Sequence, residues 1–367
     1  MRIVIDPRQV FNNGFSVEDR RYISGCLSML AKEKPQVEFC LLTNQKRMIT
    51  EFAEVRATTI SLKSSFSTFP GVSFLAARDL SKAIRGQKAD ILFTIGTPAG
   101  RDFGLPECCW LFESHLPGFK KPAIVKLVKS LLFTGSGDLQ SLMSNNNQGI
   151  GGKTLAVPIS AEEPTFALTW TEKENLKVKY AGGREFFITR SYFSEEDLMV
   201  VLKAFSRFKK KQQSNMQLLI TGMKSDQYQA GFEKLDSYKF RNDVHVYPSL
   251  DANVFQQTTA AAYALIQPGN HTTGMGMLNA LQMQVPVIVA EDPKIKEIGA
   301  SSVLYATAGD YDSFSDQMSL VFKDEILRGD VIRKGKMQAQ KFTPQQSISA
   351  IWNGLMRSLP EKMANSQ

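Results

Sequence analysis

A chain of 367 residues is too long for one small core, so two domains are expected. Its 43% apolar and 22% charged residues exclude disordered, collagen-like and membrane-embedded classes. The net charge of +8 suits nucleic acid, anionic lipid or phosphorylated substrates, but no nucleic-acid motif accompanies it, so no nucleic-acid partner is expected.

The start, MRIVIDPRQ, reads as a strand over 2–5 rather than a signal peptide, and no apolar run has the length of a membrane span. Asn12-Asn13-Gly14-Phe15 reads as a turn needing positive φ. Ser16 then caps a predicted helix over 17–32, with Tyr22, Ile23, Cys26, Leu27 and Leu30 at helical spacing. A buried strand follows at 38–43. Residues 57–75 are polar and Ser/Phe-rich and predict no element. A helix at 75–85 and buried strands at 89–94 and 109–112 come next, the last leading into Glu113-Ser114-His115.

Residues 118–132 (GFKKPAIVKLVKSLL) place Lys120, Lys121, Lys126 and Lys129 opposite an apolar face, which predicts a basic amphipathic helix. Such a helix either lies on an anionic membrane as a peripheral contact or is an ordinary solvated face. Residues 133–136 read as a strand, 145–152 as a loop, and 154–158 as the last strand of the first half. The sequence then turns polar, which puts the linker near 159–170. The four cysteines, Cys26, Cys40, Cys108 and Cys109, have neither metal spacing nor a disulfide framework. Buried reduced thiols in a cytoplasmic setting are expected, with no metal site.

The second half restarts the alternation. Strands are predicted at 185–189, 217–221 and 244–247, and helices at 195–208 and 252–262. The stretch 263–290, YALIQPGNHTTGMGMLNALQMQVPVIVA, then reads as strand, turn, Gly-punctuated helix start and strand. A loop feeding a helix N-terminus between two parallel strands offers free N–H groups and a helix dipole to an anion. Two helices, near 311–327 and 347–359, close the chain. The alternation implies two doubly wound, Rossmann-like α/β domains.

The 263–290 stretch resembles the donor-site segment of family 4 glycosyltransferases, which are retaining enzymes of the GT-B fold. In that family a turn ending in Glu-Gly-Phe-Gly opens a helix, a second Glu follows eight positions after the first, and a Gly-x-Pro-Val strand comes next. Val285-Pro286-Val287 sets the register here, which puts the two family glutamates on His271 and Asn279 and matches Gly274 to the second glycine. The frame is present without its carboxylates, so the donor motif is divergent. The resemblance covers most of 1–355.

It implies a GT-B-like fold of two Rossmann-like domains facing a cleft: an acceptor-side domain over 1–160, a nucleotide-sugar domain over 161–345, and a last helix over 346–367 crossing back, with Ile351, Trp352 and Leu355 as docking face. It implies a nucleotide-sugar donor, a glycan or lipid-linked acceptor, no metal and no cofactor. Gly14 falls in the first glycine loop and is either a donor contact or a simple turn residue. His115 falls where the family places an acceptor-side histidine and is either that group or an ordinary loop residue. The family's diphosphate-binding Arg maps to Ser191, with Arg190 one residue earlier, and its Lys maps to Glu196. A reversed charge about 4 Å from a phosphate is worth roughly 4 kcal/mol at an effective dielectric constant of about 20, so that change is large. His271, when protonated, offsets part of the missing charge, and Thr272 and Thr273 bring hydroxyls in place of Gly-Phe. Asn279 is a weaker partner than Glu for ribose hydroxyls.

Three readings follow: a sugar transferase with an altered donor site, a degenerate GT-B protein that binds without catalysis, and a non-transferase GT-B enzyme such as an epimerase. The expected location is cytoplasmic, with the 118–132 stretch as a candidate peripheral contact with the inner face of a membrane.

Overall fold

The computed structural model describes residues 1–12, 15, 17–44, 46–62, 81–100, 102–112, 128–134, 153–161, 168–190, 195–221, 237–247, 250, 252–269 and 274–360. Its contacts divide the chain into two compact units, one of Met1–Ser160 with Thr343–Gln367 and the other of Ala161–Phe342.

The first unit is built on a parallel sheet of β1 (Arg2–Asp6), β2 (Glu38–Thr43), β3 (Thr58–Ser61), β4 (Ile91–Ile95), β5 (Glu107–Phe112), β6 (Ser130–Thr134) and β7 (Thr154–Ala156). The strand order is β3-β2-β1-β4-β5-β6-β7. The middle strands β4, β5 and β6 are buried at every position, which is why they read as unbroken apolar runs. Trp110 of β5 is fully buried. It tilts against Phe112 at 4.9 Å, meets Tyr22 edge-on at 5.8 Å, and donates from Nε1 to Thr134 Oγ1 at 2.9 Å.

The helix Pro344–Ser358 belongs to this unit although it ends the chain. It packs on β5, β6 and the helix Val17–Glu33. Ile351 and Leu355 are buried, Lys34 Nζ sits 4.7 Å over the Trp352 ring, and Ser347 and Tyr22 both donate to the Pro158 carbonyl at 2.8 Å. Gly354 allows the close approach: a Cβ there would run into Leu132 Cδ2.

The second unit repeats the plan with β8 (Phe186–Arg190), β9 (Gln217–Thr221), β10 (Val244–Tyr247), β11 (Ala264–Gln267), β12 (Val287–Ala290) and β13 (Leu304–Ala306), in the order β10-β9-β8-β11-β12-β13, all parallel. Side-chain alternation splits the core into two layers. Phe187, Leu218, Ile220, Ala264 and Ile266 face the helices Glu195–Gln212 and Tyr311–Lys323. Phe186, Ile188, Leu219, Leu265 and Val287 face Trp170–Ala181, Ala252–Ala260 and Met275–Gln282. The two doubly wound, Rossmann-like α/β units expected from the alternation are therefore present.

Several elements differ from expectation. Residues 128–132, the described end of the predicted basic helix, lead into the buried strand β6; the rest of that stretch lies outside the described residues. The run Ser130-Leu131-Leu132-Phe133 is apolar on both faces, and periodicity does not separate such a run from a buried helix. The helix Trp170–Ala181 falls at the end of the predicted linker. Trp170 and Val178 are exposed, so it shows no apolar stripe, and its ends do the defining. Thr169 and Glu172 form a capping box, and Gly182 closes it at φ 60°. The helix predicted near 311–327 stops at Lys323, and Asp324 starts Glu325–Ala339 by accepting from Leu327 N at 2.8 Å. Strand β3 arises in a stretch that predicted nothing, as an edge strand with exposed residues.

Candidate functional site

Each sheet reverses its winding direction once. In the first the neighbours at that point are β1 and β4; in the second they are β8 and β11. Ligands of open α/β sheets sit at the carboxyl ends of the strands at such a point.

In the second unit β8 ends on Arg190, whose guanidinium lies 4.0 Å above the Phe255 ring and is 8% exposed. A cation over an aromatic face is attracted by the ring's negative face. Strand β11 ends on Gln267, which is 6% exposed, and its Oε1 has no hydrogen-bond partner among the described residues. Thr189 Oγ1 is in the same state. A buried polar atom left so costs about 1–3 kcal/mol.

The chain then returns at Gly274, the N-cap of Met275–Gln282. Gly274 has φ 84° and ψ −6°, a left-handed conformation that a side chain would strain. Among the described residues no side chain caps this helix, and its first N–H groups and the positive end of its dipole are groups that suit an anion. Asn279 lies in the second turn, half-buried. Met275 and Met277 are buried in the core. The structure thus brings Arg190 and Gly274 onto elements beside the second switch point. His271, Thr272 and Thr273 lie outside the described residues. Glu195, Glu196 and Asp197 form the first turn of Glu195–Gln212, where acidic side chains complement the helix dipole.

In the first unit β1 ends on Asp6, which pairs with Arg8: Nε to Oδ1 at 2.7 Å and Nη2 to Oδ2 at 2.6 Å, both residues buried. Glu107, at the start of β5, is also buried. It accepts from Thr94 Oγ1 at 2.7 Å and from Ala99 N at 2.8 Å, tying the loop after β4 to the sheet. Burial raises its carboxyl pKa above the ordinary glutamate value, against the two hydrogen bonds that lower it. The unfolded chain then releases this proton at lower pH than the folded chain does, so stability falls as pH rises through and just above the ordinary glutamate range. Glu107→Gln keeps an acceptor without the charge. It should flatten the decline of Tm with pH in that window, measured by thermal denaturation from pH 4 to 8. Gly14 and His115 lie outside the described residues.

The third histidine, His245 of β10, is structural. Its Nε2 lies 2.9 Å from Gln217 Oε1, and burial lowers its pKa. All four cysteines are buried and free, and burial pushes Cys108 up to about 12. Among the described residues no cluster of His, Cys, Asp or Glu could hold a metal ion, and no helix is long and apolar enough to cross a membrane.

Sequence reasoning passed over Gln267, Phe255 and Glu107. The one available signal was an amide at the end of the apolar run Ala264-Leu265-Ile266, before Pro268-Gly269.

Residues 171–338, a little under half of the chain, match the family described as Glycosyl transferases group 1. No curated protein matches the chain. Among solved structures, a glycosyltransferase from Rickettsia africae is 13% identical with a TM-score of 0.78, covering 98% of this chain and 99% of that one. HepE from Anabaena, solved with UDP and glucose, is 11% identical with a TM-score of 0.74 over 96% and 98%. The sucrose-phosphate synthase of Thermosynechococcus elongatus is 12% identical with a TM-score of 0.69 over the full length of both chains. At such identities the likeness is one of fold. The chain has the two-domain GT-B architecture of these neighbours, and its second unit carries the stretch that matches the group 1 glycosyl transferases.

Proposed function

We propose that this protein is a glycosyltransferase that takes a sugar from a nucleoside-diphosphate donor to a glycan or lipid-linked acceptor, with retention. One observation carries the reading: Arg190 and the helix N-terminus at Gly274 stand beside the same switch point of the second sheet. A planar cation and a row of N–H groups there suit a diphosphate, the group on which charge develops as the sugar leaves. The family match over 171–338 and the UDP-sugar complexes of the Anabaena neighbour support the same donor class.

In this mechanism the second unit positions the donor and stabilises the departing diphosphate. Arg190 takes phosphate oxygens, the N–H groups after Gly274 take others, and Asn279 hydrogen-bonds a ribose hydroxyl. His271, Thr272 and Thr273 complete the turn between β11 and the helix, with His271 as a further cation when protonated. Gly14 contributes a donor contact from the first unit, and His115 serves the acceptor side. Transfer to the same face of the sugar needs orientation and charge stabilisation rather than a protein nucleophile. The reading calls on no metal and no cofactor.

Binding without transfer is the second reading, favoured by the neutral Asn279 at a glutamate position and by the acidic Glu196 at a lysine position. Calorimetric titration with UDP and with GDP tests the transferase reading. Saturable binding of one nucleoside diphosphate is expected, and no binding of either at millimolar concentration overturns that reading and leaves a degenerate protein that binds a sugar or a partner subunit. Release of nucleoside diphosphate from its sugar nucleotide, with an acceptor present, separates transfer from mere binding.

A further inference from the structure

At the second switch point Gln267, like Thr189, has a buried polar side-chain atom that no group among the described residues satisfies. Gln267 closes β11, and its Oε1 is buried without a hydrogen-bond partner among the described residues. The register places Ile266 opposite Thr189, so the next residue on each strand, Gln267 and Arg190, stand level. Adjacent strands lie about 4.8 Å apart. Alternation puts both on the layer of Leu265 and Ile188. An amide and a guanidinium are thus neighbours at the carboxyl ends of the strands flanking the crevice.

The two groups have different chemistry. The guanidinium is a fixed cation with donors only, which suits phosphate oxygens. The amide is neutral and carries an acceptor as well as donors, which suits a hydroxyl. Beside a diphosphate, the neutral hydroxyl-bearing groups are the ribose on one side and the transferred sugar on the other. The acceptor is the unsatisfied half of the amide here, and sugar hydroxyls are its matching donors. We propose that Gln267 is a specificity-determining residue that hydrogen-bonds a hydroxyl of the transferred sugar while Arg190 holds the diphosphate. This rests on the donor-site reading above and adds to it a sugar subsite at a residue outside the helix-opening motif.

The test compares wild type, Gln267→Leu and Gln267→Met by calorimetry with UDP, GDP, UDP-glucose and GDP-mannose, alongside Tm of the ligand-free proteins. Loss of one hydrogen bond should raise the Kd for the bound sugar nucleotide about 5- to 10-fold in both variants. The matching nucleoside diphosphate should bind within about twofold of wild type, and ligand-free Tm should be unchanged or higher. Equal weakening for nucleoside diphosphate and sugar nucleotide would assign Gln267 to the nucleoside and overturn the proposal. Unchanged affinity for both, or a Tm lowered by several degrees in both variants, would overturn it as well, the latter by making Gln267 a structural residue. So would a wild-type protein that binds a nucleoside diphosphate but neither sugar nucleotide. A wild-type protein that binds none of the four fails at the earlier step, the donor-site reading itself.

Discussion

Arg190→Ala should weaken nucleoside-diphosphate binding by about 10- to 100-fold. Hydrogen bonds to charged groups are worth about 1.5–3 kcal/mol, and each 1.4 kcal/mol is about tenfold in affinity. The geometry favours a large effect. Arg190 is almost wholly buried and its guanidinium sits 4.0 Å over the Phe255 ring, so little freedom is lost when a phosphate arrives. Arg190→Lys keeps the charge but gives up the planar contact with the ring and the two-pronged grip, and should fall between alanine and wild type. Calorimetry with the diphosphate that wild type binds reads both. Equal affinity in Arg190→Ala and wild type would remove Arg190 from the donor site.

The largest effect on stability is expected at Trp110. Trp110→Ala removes a fully buried indole from the middle of the first sheet, at a cost of about 3–5 kcal/mol. The ring is held by Tyr22 of the helix Val17–Glu33, by Phe93 of β4 and by Phe112 on its own strand, and its N–H is satisfied by Thr134 of β6. Those groups come from four elements, so the cavity cannot close by moving one of them. For a unit of this size each kcal/mol lowers Tm by about 2–4 °C, which predicts a drop of roughly 10 °C in the first unit's transition. Trp110→Phe keeps most of the volume and should cost about 1 kcal/mol. Differential scanning calorimetry separates the outcomes, because the transition of the Ala161–Phe342 unit should stay in place.

The donor-site expectations divide by where they fall in the chain. Gly274 and Asn279 were singled out by counting back from Val285-Pro286-Val287, because a Gly-punctuated turn and a buried strand leave a local mark. Arg190 was found by a shifted alignment. What surrounds it was not legible, since Gln267 comes level with it only through the pairing of β8 with β11, and Phe255 meets it only through the packing of the helix Ala252–Ala260. The buried carboxyl of Glu107 was hidden for a similar reason: Thr94 and Ala99, its partners, come from a neighbouring strand and its loop.

By itself the sequence determined the α/β alternation and the buried central strands. Each of these is written locally, as apolar runs bounded by Gly, Pro and polar residues. It did not determine whether the 118–132 run ends in helix or strand, because an apolar stretch buried on both faces has no periodicity to tell them apart. It missed the helix Trp170–Ala181, which is defined by its caps more than by an apolar face. Only the tertiary structure decided the strand order and therefore the two switch points. Strand order depends on hydrogen bonds between segments far apart in the chain. Those bonds put Arg190 level with Gln267, and side-chain packing, not visible in the sequence, lets the last helix close on Leu132 at Gly354.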